Sequence, residues 1–158
     1  MSFSMTFNEI ALKACAALAL KMGLLHFLTV RSRLISGNMK SGRAASWAED
    51  EAMHPIVVAM LKVGVGAIGP CLATTERWVG VVANAVENEP YFMALVLAYA
   101  SAGVTLPTWA PTLVATYVAA RYAHAVMYLF PVVPQPGRAV AFIIGNFSML
   151  GLAASALF

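Results

Sequence analysis

Four stretches of this chain are apolar almost from end to end, and the few polar residues inside them recur at intervals of three and four. That spacing places side chains on one face of a helix, so the pattern predicts helices throughout and no strands. The stretches cover about residues 7–35, 76–102, 111–130 and 137–157. Each is long enough for a helix to cross a bilayer, which takes roughly 20 residues. Thr6 or Asn8 can cap the first helix, and Glu9 and Lys13 form a pair four residues apart at its start. Lys21 lies too deep to reach the membrane surface easily and is expected to face the other helices. Arg31 and Arg33 close the stretch, and Ser36-Gly37-Asn38 breaks it. The second stretch contains Pro90, which removes a backbone donor and predicts a kink or a local break. Pro111 suits the first turn of the third helix. Pro131, Pro134 and Pro136 force a stiff turn before Arg138 opens the fourth.

Between the first two helices lies a long loop, residues 36–75, that changes character midway. Its first part is polar, with Lys40, Arg43 and the acidic cluster Glu49-Asp50-Glu51. Residues 56–72 are apolar but contain Lys62, three glycines and Pro70. A re-entrant or surface-lying segment fits that composition better than a fifth span.

Composition turns helices into a membrane protein. The chain is 61% hydrophobic and only 11% charged, against about 25% charged for soluble domains, and its mean hydropathy is +0.78. The expected fold class is all-α: a polytopic membrane four-helix bundle in a single domain. Residues 1–9 lack the basic region and small-residue cleavage site of a secretory signal, so the first helix is expected to stay as an anchor. Arg31, Arg33, Lys40, Arg43 and Arg138 all lie within or at the edges of the first and third connections. By the positive-inside bias those connections face the cytoplasm and both termini the other side. The expected location is an endoplasmic reticulum or mitochondrial membrane. A net charge of +3, scattered along the chain, gives no footprint for nucleic acid. Cys15 and Cys71 do not form a disulfide framework, and His26, His54 and His124 lie at unrelated depths, giving no metal site.

Candidate chemistry gathers on two stripes. At about 100° per residue, Asn84 and Asn88 lie about 20° either side of Arg77, with Glu87 about 80° off. Tyr117, Arg121, His124 and Tyr128 follow one another at spacings of four, three and four on the third helix. Buried arginines need acceptors, and Glu76 and Glu87 are the expected acids. One reading is a structural ion-pair network joining the helices. The other is a polar pocket open near one interface, with Arg33, Arg77, Arg121 and Arg138 around an anionic ligand. Arginine offers a planar fork of donors and stays charged, which suits carboxylates. It also stabilises a thiolate, so a thiol of pKa about 8.5 ionises near neutrality. Tyr128 could donate a hydrogen bond to the same sulfur. Spacing alone names no ligand.

Beyond that point the residues resemble a known family. Glu76-Arg77, Asn84 and Glu87-Asn88 are similar to the second-helix signature of the MAPEG membrane proteins. Ala120-Arg121, His124, Tyr128-Leu129 and Pro134-Gln135-Pro136-Gly137-Arg138-Ala139 resemble its microsomal glutathione transferase branch, as do Lys21-Met22, Arg33-Leu34 and Glu49-Asp50. The resemblance implies a four-helix protomer in a homotrimer, with glutathione bound between subunits at the cytoplasmic end. Arg138 would stabilise the glutathione thiolate, and Tyr128 would line the sulfur site. Arg33, Asn84, Glu87, His124 and Gln135 would hold or orient the tripeptide, and a lipophilic electrophile would arrive from the bilayer. Conjugation or peroxidase chemistry would follow. Relatives usually carry basic residues between Arg77 and Asn84, whereas residues 78–83 here have no charge. That interval and the apolar 56–72 segment motivate an alternative, a MAPEG-fold structural subunit of a larger membrane complex.

Overall fold

The computed structural model describes residues 6–36, 74–103, 106–130 and 135–155. The apolar 56–72 segment, Glu49-Asp50-Glu51, His54 and Cys71 lie outside them. Four helices make up the described chain: α1 (Phe7–Ser36), α2 (Thr75–Ala102), α3 (Ala110–Leu129) and α4 (Gln135–Ala154). The all-α fold class read from the hydrophobic pattern holds.

Local chemistry sets the helix ends. Thr6 and Glu9 form a reciprocal capping box, the Thr6 amide donating to Glu9 Oε2 at 2.9 Å and the Glu9 amide to Thr6 Oγ1 at 3.4 Å. Thr74 caps α2 by accepting from the Arg77 amide, and Gly103 ends it in the left-handed region at φ 61°. Pro111 stands in the first turn of α3. α2 runs across Pro90 without a break, so the local break that proline allows does not occur. One missing amide is a small loss beside the packing of its neighbours Glu89 and Phe92, both fully buried.

α1 lies along α2 and α3 along α4, while α3 touches the other three helices. Two apolar clusters form the core. One holds Leu18, Phe92, Val96, Val114, Tyr117 and Leu152, with the Phe92 and Tyr117 rings stacked 3.7 Å apart. The other holds Leu25, Trp78, Val81, Ala85, Ala125 and Leu129. Small residues at the contacts (Ala11, Ala14, Ala110) let the backbones approach closely. Further links tie the helices, the Tyr99 hydroxyl donating to the Leu152 carbonyl at 2.7 Å and the Tyr122 hydroxyl to that of Ala17 at 2.7 Å.

The outward faces are apolar as well. Leu12, Leu20 and Leu24 on α1 and Val140, Phe147 and Leu150 on α4 are all exposed, Leu20 by 75% and Phe147 by 70%. Such surface suits lipid or another apolar partner. By length and composition, residues 7–33 and 136–154 are apolar enough to cross a membrane. α2 carries four charged residues, Glu76, Arg77, Glu87 and Glu89.

Candidate functional site

Between the two apolar clusters lies a layer of charge. Lys21 follows Leu18 by three residues on α1, Glu89 precedes Phe92 by three on α2, and Arg121 follows Tyr117 by four on α3. The same helical faces that build the core therefore bring these three groups together. The Lys21 ammonium pairs with Glu89 Oε1, and Arg121 Nε reaches the same oxygen at 3.4 Å. Arg121 Nη2 donates to Asn84 Oδ1 at 2.6 Å and to the Asn84 carbonyl at 3.1 Å. Asn88 donates to that same carbonyl at 2.8 Å, and its own carbonyl accepts from the Tyr117 hydroxyl at 3.2 Å. Glu89 is completely buried and Arg121 is 3% exposed. Two cations on one carboxylate leave the layer with excess positive charge, while Glu89 Oε2 has no hydrogen-bond partner among the described residues.

Sequence reasoning named the wrong acids for this layer. Glu76 and Glu87 were the expected partners of the buried arginine, yet both side chains are exposed. Glu89 does that work. It lies about 120° round α2 from Arg77, off the polar stripe. The signal that could have found it is depth: Lys21 is the fifteenth residue of the 30-residue α1 and Glu89 the fifteenth of the 28-residue α2. Two charges at mid-height on adjacent antiparallel helices meet.

A second group of residues sits towards the end of the bundle where α1 and α3 finish and α2 and α4 begin. Ser32 and Thr75 hydroxyls, 2.9 Å apart, mark the α1–α2 contact there. Half-buried Arg77 donates from Nη1 to the Tyr128 carbonyl at 2.8 Å. Arg138, the fourth residue of α4, places its guanidinium carbon 4.6 Å from the centre of the Tyr128 ring. His124 is buried, its ring tilted against those of Tyr128 at 5.9 Å and Phe142 at 6.0 Å. Gly80 lies directly beside the Tyr128 phenol.

The expected site residues thus divide. Arg77, His124, Tyr128 and Arg138 gather at the bundle end. Asn84 and Arg121 belong to the charge layer and hold each other. Glu87 points outward from α2. Arg33 is half-buried in the last turn of α1, and Gln135 opens α4 with its side chain outside the described set.

Chemically, the bundle end offers a guanidinium that meets no carboxylate among the described residues. Arg138 stands in the first turn of α4, where the helix dipole is positive and an arginine is unfavourably placed. Both charges favour an anion. A family model for MAPEG matches residues 11–158. No curated protein and no solved structure gives a match.

Proposed function

The chain belongs to the MAPEG family, and from that premise we propose that it is an integral membrane glutathione transferase. Its substrate beside glutathione would be a lipophilic electrophile drawn from the bilayer, and a hydroperoxide could take the same place. The observation that carries this reading is Arg138, a half-buried cation without an acid partner among the described residues and set where the backbone dipole adds to its field. Glutathione supplies the nucleophile as a thiolate. Arg138 would hold that thiolate in its ionised form by direct charge stabilisation. Arg77 keeps guanidinium nitrogens beyond the one given to the Tyr128 carbonyl, and these suit a ligand carboxylate. The outward apolar faces of α1 and α4 would let a lipophilic partner approach from lipid.

A homotrimer belongs to the same proposal. Glu87 is an exposed acid near the middle of α2, among exposed Val86, Pro90 and Tyr91. A carboxylate facing lipid at that depth costs several kcal/mol, so this face favours cover by a neighbouring subunit.

The purified protein should bind glutathione with micromolar to millimolar affinity by calorimetry, and Arg138→Ala should leave its detergent-corrected mass unchanged. Loss of one charge-assisted contact, about 1.5–3 kcal/mol, should lower thiolate formation roughly tenfold to a hundredfold. Undiminished conjugation of an aryl halide by that variant would remove Arg138 from the chemistry.

One observation favours a second reading, a structural subunit of a larger membrane assembly. Arg121 gives Nε to Glu89 and Nη2 to Asn84, which leaves only Nη1 of its guanidinium for a ligand. Complete absence of glutathione binding, with a stoichiometric partner retained in mild detergent, would select that reading instead.

A further inference from the structure

We propose that Gly80 is a positioning residue: the notch it leaves in α2 seats the Tyr128 phenol, and the Tyr128 ring in turn carries the Arg138 guanidinium. This inference rests on the reading of Arg138 as the thiolate-stabilising group.

Glycine weakens a helix interior, so the sixth residue of a 28-residue helix needs a local reason to be one. The reason is steric. A Cβ built at Gly80 would collide with the Tyr128 hydroxyl and lie 2.9 Å from Cζ and 3.0 Å from Cε1. Three atoms of one rigid ring system are in the way, so a Cβ there would require the whole half-buried phenol to turn aside. One turn earlier, Arg77 binds the carbonyl of the same tyrosine at 2.8 Å. α2 therefore fixes Tyr128 at its main chain and at the tip of its ring.

What Tyr128 presents to α4 is the ring. Arg138 lies 4.6 Å from its centroid, within the range where the negative face of an aromatic ring attracts a cation. Among the described residues the Tyr128 hydroxyl makes no hydrogen bond. The hydroxyl fills the notch, and the ring holds the guanidinium. In this arrangement the glycine within the uncharged interval 78–83 has a purpose: a side chain at position 80 would displace the platform under Arg138.

Two measurements decide it. The first needs no glutathione. Gly80→Ala should lower the melting temperature of the otherwise native protein in detergent. In a Tyr128→Ala background, where the space is vacant, it should raise it, since alanine favours the helix. A change of the same sign in both backgrounds overturns the notch. The second follows the ultraviolet absorbance of the bound thiolate against pH. Tyr128→Phe keeps the ring and should lose less of the thiolate fraction at neutral pH than Tyr128→Leu. Tyr128→Leu should lose about tenfold, with the titration midpoint moving up by about one pH unit. Equal losses in the two variants overturn the ring as platform and return the role to the hydroxyl. Should the native protein form no thiolate, the glutathione reading fails, and the unfolding comparison still decides the Gly80–Tyr128 fit.

Discussion

Glu89 is the residue on which the interior depends. It is the only acid among the described residues that meets a base in the core, and it meets two, Lys21 and Arg121. Removing one partner of a buried ion pair leaves an uncompensated charge, typically at 3–5 kcal/mol. Glu89→Ala should therefore destabilise the bundle by about 3–5 kcal/mol. Adding Lys21→Met should recover part of that loss, because one of the two stranded cations disappears. Glu87→Ala, at an exposed site, should change thermal unfolding of the solubilised protomer by no more than about 0.5 kcal/mol. If the Glu87 and Glu89 variants unfold alike, the charge layer contributes nothing to stability. The sequence announced that charges were buried, through Lys21 and Arg121. It did not announce which acid answers them, since the stripe that contains Glu87 is at a different angle from Glu89.

At the scale of the helix, the ends are the most local part of the structure, although of the caps only Thr6 was put forward from the sequence. The Thr6–Glu9 box and the Thr74 cap each need only a hydroxyl and an amide within one turn. Gly103 is similar: its φ of 61° is a conformation that other residues reach only with strain. Nothing lies within 4 Å of a Cβ placed there, so the penalty of Gly103→Ala should be conformational alone, about 1 kcal/mol, with Gly103→Asn milder. Thermal unfolding of the two variants would check that order. Pro90 was less legible. A proline in a helical pattern permits a stop or a passage, and the burial of Glu89 and Phe92 beside it decides for passage.

Over the whole molecule, the polar groups form two tiers with different work. The middle tier gathers Lys21 and Arg121 around the one carboxylate of Glu89 and ties three helices together. The end tier keeps Arg138 free of acids among the described residues and stacks it on Tyr128. The proposed assembly concerns a third surface, the outer face of α2 around Glu87. Glu87→Arg should break the proposed trimer by setting like charges and an altered shape into each contact, and a detergent-corrected mass falling to that of one protomer would show it. An unchanged mass would separate Glu87 from any subunit contact.

Composition and the three- and four-residue period determined that this chain is an all-helical membrane-family bundle, because hydropathy and helix formation act over a few residues at a time. They also put Arg77, His124, Tyr128 and Arg138 forward as chemistry. What only the tertiary structure decided is which groups are spent on one another: Arg121 on Glu89 and Asn84, Arg77 on the Tyr128 carbonyl, and Gly80 on the Tyr128 phenol. Those pairings depend on the relative height and rotation of helices far apart in the chain. Packing of the two apolar clusters sets that rotation, and no local pattern encodes it.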